Sequence, residues 1–165
     1  METKSYNLPV RSISVVTKEA LNYIKGRKEG TVCSLKTRWN KFNKVCMGGI
    51  EPNTIYTIGG ISGSGKSSFT NLLSADIIDL NSNENVVILA FSLEMVGFRQ
   101  VGRMLSNKLK ITTSTLYSAN ERLNDSTLKK VIDVSNRIKD YPIYFVDNPG
   151  TPTQVYTTII EFYNK

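Results

Sequence analysis

Apolar residues along this chain recur at two periods, and the alternation between them sets the fold class. Ala20, Leu21 and Ile24 fall at helical spacing, which predicts a short amphipathic helix from Thr17 running down near Gly26 and Gly30. Residues 1–16 ahead of it are polar and mixed, with Pro9, and read as a flexible arm. Residues 37–47 place Trp39, Phe42, Val45 and Cys46 on one helical face that stops at Gly48-Gly49. A turn at Pro52-Asn53 leads into residues 54–59, the first expected core strand. A helix from about Gly65 to Leu80 follows, with Phe69, Leu72, Leu73, Ile77 and Leu80 inward and Asn81-Ser82-Asn83 ending it. Residues 86–91 are continuously apolar, the mark of a parallel strand covered on both faces.

The second half repeats the alternation. Residues 96–109 predict a helix with Val101, Met104, Leu105 and Leu109 on one side. Thr113-Ser114 caps a short helix to Ser118, and Asp125 or Ser126 caps a longer one carrying Leu128, Val131, Ile132, Val134 and Ile138. Residues 142–146 are the third strand, and Thr153 begins a final helix ending at Lys165. Strands alternating with helices imply an α/β fold, a parallel sheet with helices on both faces. Three parallel strands leave apolar edges open, so the sheet reads as unfinished at its C-terminal end.

A chain of 165 residues, 40% hydrophobic and 21% charged, fits one globular domain. No apolar stretch approaches the roughly 18 residues of a membrane span, and the N-terminus carries Glu2 and Lys4 with no apolar core behind them. A cytoplasmic protein with no membrane partner is the expectation. Histidine is absent, which removes Ser-His-Asp catalysis and histidine-ligated metals. Cys33 and Cys46 are too few and too far apart for a zinc site, and read as reduced thiols. A net charge of +7 and pI of about 9.4 permit a polyanionic partner, though the lysines are scattered.

The chemistry sits between the first strand and the helix after it. Gly60-Ile61-Ser62-Gly63-Ser64-Gly65-Lys66-Ser67 fits G-x-x-x-x-G-K-[ST], the phosphate-binding P-loop. Glycines let backbone N–H groups approach a polyphosphate closely, and the helix N-terminus adds partial positive charge. In this pattern the amides from Ser62 to Ser68 cradle a triphosphate, Lys66 reaches its outer phosphates and the Ser67 hydroxyl holds Mg²⁺. An ordinary Gly/Ser turn is the bland alternative.

The order of motifs resembles the RecA-like motor domain of DnaB-like replicative helicases. Trp39 through Gly60 resembles the helix and "G-G-[LI]-x-P" turn ahead of that family's P-loop strand. Phe91-Ser92-Leu93-Glu94-Met95 is similar to its "F-S-L-E-M" signature, and Arg103-Met104-Leu105-Ser106 continues the likeness. Residues 143–151 resemble its third strand and "D-x-P-G" turn. The resemblance covers residues 17–165. It implies a RecA-like P-loop NTPase core, truncated before the Walker B strand, with residues 17–36 as linker segment and 37–165 as the N-terminal part of the ATPase domain.

The resemblance also implies roles. Glu94 takes the position of the carboxylate that polarises the attacking water; its plainer reading is an acid near the start of the next helix. Asp147 is either a Walker B acid holding Mg²⁺ or, as the family comparison has it, a turn or cap residue. ATP and Mg²⁺ are the implied cofactors. A homo-hexamer, single-stranded DNA bound through segments absent from this chain, a primase and a helicase loader are the implied partners. The complete protein would be an ATP-dependent DNA helicase, with residues 17–29 packing on a neighbouring subunit. The family's Walker B acid, basic loops and arginine finger have no counterpart before Lys165, so the chain alone is expected to hydrolyse ATP hardly at all.

Three rivals compete. A GTPase would use Asp147-Asn148-Pro149-Gly150 as D-x-x-G but needs a later N-K-x-D, and Asn107-Lys108-Leu109-Lys110 comes before it and ends in lysine. A nucleotide or small-molecule kinase predicts an arginine-rich lid, while the last third holds only Arg122 and Arg137. A non-enzymatic RecA-like relative would bind ATP as an assembly switch.

Overall fold

The computed structural model describes residues 9–120 and 122–164. Within them seven helices and two strands alternate: α1 (Ile13–Glu29), α2 (Asn40–Val45), α3 (Lys66–Leu80), β1 (Ile88–Phe91), α4 (Gly97–Leu109), α5 (Thr113–Tyr117), α6 (Asp125–Ile138), β2 (Ile143–Val146) and α7 (Pro152–Tyr163). No helix among the described residues is long and apolar enough to cross a membrane.

The α1 helix starts at Ile13 rather than near Thr17, because Ser12 is extended and its hydroxyl accepts the Val15 N–H at 3.4 Å. Residues 13–16 of the expected arm are therefore helical, and residues 1–8 lie outside the described part. Gly30, at φ 76°, ends the helix in the left-handed conformation. Leu21 and Ile24 remain 52% and 62% exposed, so the apolar stripe of α1 meets solvent. Its C-terminal end is held by Arg27, which donates to the Ser34 hydroxyl at 2.8 Å and to the Met47 carbonyl.

The first expected strand is not one. Residues 54–59 enter no ladder, and Ile55 is 93% exposed. Strand identity is a relation to a neighbour, and among the described residues the two strands, β1 and β2, pair with each other. The Tyr56 hydroxyl instead ties this segment back to its own turn, accepting the Glu51 N–H at 3.1 Å and donating to the Gly49 carbonyl at 3.4 Å. Its ring lies 6.1 Å from that of Phe42 on α2. Val45, expected on the same inward face as Phe42, is 81% exposed.

Polar anchoring, more than apolar burial, fixes α3. Its buried positions are Asn71, Ala75 and Asp76, and Leu80, expected inward, is 48% exposed. The Asp76 carboxylate takes Arg38 in a two-pronged pair, at 2.7 Å from Nε and 2.5 Å from Nη2. Those hydrogen bonds raise the pKa of the guanidinium. Asn81 accepts the Lys36 N–H at 2.8 Å and donates to the Lys36 and Ile77 carbonyls, so residues 36–38 are stitched along the helix. Trp39 stacks on Phe69 at 4.7 Å between ring centroids.

The parallel pair runs in register from Ile88 opposite Ile143 to Phe91 opposite Val146. It is a two-stranded parallel sheet, not the three expected. Met104 from α4 with Val134 and Ile138 from α6 form the buried cluster, and Ile143 and Phe145 of β2 pack against it. Each such side chain contributes about 1.5–3 kcal/mol by leaving water. Strand alternation turns Tyr144 to the other face, where it meets Phe162 of α7 edge-on at 4.9 Å. That face stays partly open, with Tyr144 52% exposed. Leu128 and Ile132, which recur at helical spacing with Val134 and Ile138 on α6, are 45% and 51% exposed.

Helix starts shift by a residue or two from expectation. Thr112 caps α5, Asn124 caps α6, and Thr151 caps α7 in a reciprocal box with Gln154. The last helix ends at Tyr163; Lys165 lies outside the described residues.

Candidate functional site

The loop from Gly60 to Ser67 is shaped by its glycines. Gly63 and Gly65 sit at φ 78° and 91°, where a side chain would be strained. An added Cβ on Gly60 would lie 2.5 Å from the Ser64 hydroxyl. The Ser64 N–H closes a turn onto the Ile61 carbonyl at 3.2 Å, and Gly65 then caps α3. No side chain caps this helix start. The amides of Lys66, Ser67 and Ser68 are thus first-turn donors without intrahelical acceptors. The Lys66 ammonium folds back over the loop, donating to the Gly60 carbonyl at 2.9 Å and the Ile61 carbonyl at 3.0 Å.

A cavity of about 330 Å³ opens above this helix start, lined by Ser62, Gly63, Gly65, Lys66, Ser67 and Ser68. Glu94 and Arg103 line it as well. The fold thereby brings Glu94, on the turn after β1, to the same hollow as the loop. Gly60 and Ile61 support the Lys66 side chain through their carbonyls, and Ser64 lies outside the lining.

Glu94 is exposed and precedes α4, whose first turn holds no acid. The acid that serves that helix start is Asp147, whose Oδ1 accepts the Gly97 N–H at 2.8 Å. Asp147 does not line the cavity. The two acids weighed in the sequence therefore divide: one faces the loop, the other caps a helix.

Two residues went unassigned in the sequence. Arg103 lines the cavity and its Nη1 lies 3.5 Å from the Ser68 hydroxyl. Gln100 donates to the Ser92 hydroxyl and the Met95 carbonyl, in the turn after β1. The signal for both was available: Gln100, Arg103 and Asn107 recur at i, i+3 and i+7, a polar stripe beside the apolar face of α4.

No group of three or more acidic or cysteine side chains with metal-ligand geometry occurs among the described residues. A single hydroxyl at Ser67 nevertheless suits Mg²⁺, which keeps several waters and takes further ligands from phosphate oxygens. The open amides and the lysine suit a polyphosphate.

The chain matches the family description "DnaB-like helicase C terminal domain" over residues 34–162. Comparison with curated proteins gives no match.

Proposed function

The chain belongs to the family of DnaB-like helicase C-terminal domains, and from that premise we propose that residues 60–68 form the ATP-binding P-loop of a RecA-like replicative helicase motor. The observation that carries the reading is the shared cavity, which Lys66, Ser67 and Ser68 line together with Glu94. Phosphoryl transfer needs orientation and charge neutralisation more than covalent help from the protein, so a few placed groups suffice.

The backbone amides of Ser62 to Ser68 bind the polyphosphate, and the Lys66 ammonium neutralises its outer charge. The Ser67 hydroxyl is the ligand this chain offers to Mg²⁺. Bound ATP supplies the transferable phosphoryl group, and Mg²⁺ screens its charge. The Glu94 carboxylate accepts a proton of the attacking water and so aims it. Arg103, beside Ser68, adds a second cation to the cavity. Asp147, engaged with Gly97, is a helix cap in this reading rather than a metal ligand.

The complete protein would couple hydrolysis in a homo-hexamer to translocation on single-stranded DNA and duplex unwinding. Residues 17–36 would link subunits, residues 37–165 would belong to the motor, and a primase and a helicase loader would be its partners. The exposed Leu21 and Ile24 support a packing role for the linker.

Titration of a fluorescent ATP analogue with Mg²⁺ tests the assignment. Lys66→Ala should weaken binding by about tenfold or more, the loss of one charge-assisted contact. Equal affinity in the two chains removes it.

A further inference from the structure

We propose that Gln100 is the positioning residue for Glu94, a single amide that holds the water-orienting turn against the phosphate-binding helix. The inference rests on the reading of Glu94 given above and adds to it the group that fixes its place.

The turn from Ser92 to Met95 has little else to hold it. Leu93 is 64% exposed, and neither Leu93 nor Glu94 makes a hydrogen bond among the described residues. Behind the turn lies a gap of about 450 Å³ between α3 and the end of β1. A carboxylate on so loose a turn would sample many positions, whereas aiming a water needs placement within about 1 Å.

Gln100 spans that gap. Its Nε2 donates to the Ser92 hydroxyl and, at 3.3 Å, to the Met95 carbonyl, so one NH₂ group grips the turn on both sides of Glu94. The Met95 carbonyl can only accept, which fixes the amide's orientation. Its Oε1 is then free to accept from Asn71 Nδ2, at 3.4 Å. Asn71 is buried on α3, one turn beyond Ser67. Both amide ends are therefore occupied, one by the Glu94 turn and one by the helix that begins at Lys66.

The base of Gln100 is itself fixed. Gly97, at the start of α4, is held by Asp147 at the end of β2. Ser92 is held by the Val146 carbonyl at 2.9 Å. A closed circuit of Ser92, Val146, Asp147, Gly97 and Gln100 frames the turn, and the distance from loop to carboxylate is set by one side chain's length.

Gln100→Met keeps length and helix propensity but removes both polar ends. Two measurements read the result: hydrolysis in the complete protein, where the subunit interfaces form, and hydrogen exchange in this chain. In single-turnover hydrolysis of labelled ATP, with protein in excess, Gln100→Met should slow the step roughly ten- to hundredfold while ATP affinity holds within about twofold. In a Glu94→Gln background the same change should cost nothing further, since the group it positions is gone. Hydrogen exchange should show faster exchange of the Ser92 amide, the one in this turn that donates to a backbone carbonyl, with α6 unchanged. Unaltered exchange at Ser92, or an equal rate loss with and without Glu94, overturns the proposal. Lys66→Ala serves as the reference: if it leaves ATP binding intact, the nucleotide assignment fails as well. If it abolishes binding while Gln100→Met changes nothing, only the positioning role falls.

Discussion

The Asp147 carboxylate accepts the Gly97 N–H at 2.8 Å, so the acid that closes β2 caps the helix that follows β1. The contact ties the C-terminal ends of two neighbouring parallel strands to one helix start. Open first-turn amides favour a negative charge, and Asp147 supplies it across the sheet.

Asp147→Ala should lower stability by about 1 kcal/mol, the usual cost of a lost cap. Nucleotide affinity in the presence of Mg²⁺ should stay unchanged. Chemical denaturation and an ATP-analogue titration measure the two effects; a loss of Mg²⁺-dependent affinity with intact stability would make Asp147 a metal ligand instead.

Glu94 and Arg103 face the same cavity but carry opposite charges, and their variants should separate. Glu94→Gln should spare ATP binding and, in the complete protein, cut turnover by about 10² or more. Arg103→Ala should weaken ATP by about tenfold and ADP less on the proposed reading, in which its cation meets the outermost phosphate. Parallel losses for ATP and ADP in both variants would place neither residue there.

Gly49 and Gly30 both hold positive φ, yet only one is crowded. A Cβ on Gly49, at φ 140°, would lie 2.0 Å from the Leu35 carbonyl oxygen, across the bridge that pairs Leu35 with Ile50. A Cβ on Gly30 would meet nothing within 4 Å. Gly49→Ala should therefore cost about 2–4 kcal/mol and Gly30→Ala about 1 kcal/mol. Denaturant midpoints for the two variants should differ in that order.

Alkaline stability should depend on Asp79. Its carboxylate takes Lys108 at 2.5 Å and the Tyr141 hydroxyl. Burial and the bond to Asp79 raise the Tyr141 pKa. Burial lowers that of Lys108, but its bonds to Asp79 and Tyr141 outweigh this and the net shift is upward. Both groups hold their protons more tightly when folded, so their contribution is complete below about pH 10 and fades as pH climbs through the folded values. Unfolding midpoints should fall above about pH 10, and Tyr141→Phe should flatten that fall. Identical slopes would remove Tyr141 from the alkaline limb.

How much was legible depended on whether an element is a property of its own residues. The face of α4 carrying Val101, Met104, Leu105 and Leu109 was readable because helical period alone fixes it, and these residues meet in the core. Helix starts were readable only to within a residue or two, since runs such as Thr112-Thr113-Ser114 and Asn124-Asp125-Ser126 offer several caps and backbone geometry selects one. The 54–59 strand was not readable, because its apolar run says nothing of whether a neighbour pairs with it. Buried Asn71 and Asp76 broke the apolar pattern of α3, their partners Gln100 and Arg38 lying far off in sequence. The glycine-rich loop was visible as a motif, whereas its meeting with Glu94 was foreseen only through family resemblance, and Arg103 and Gln100 were passed over.

The two carbonyls that hold the Lys66 ammonium turn any arriving phosphate into a competitor rather than a newcomer. What Lys66 gives to affinity is a difference between two sets of bonds, smaller than its charge suggests. Gly60 and Ile61 are both open to solvent, so their released oxygens can be rehydrated at once, and the swap costs the loop little.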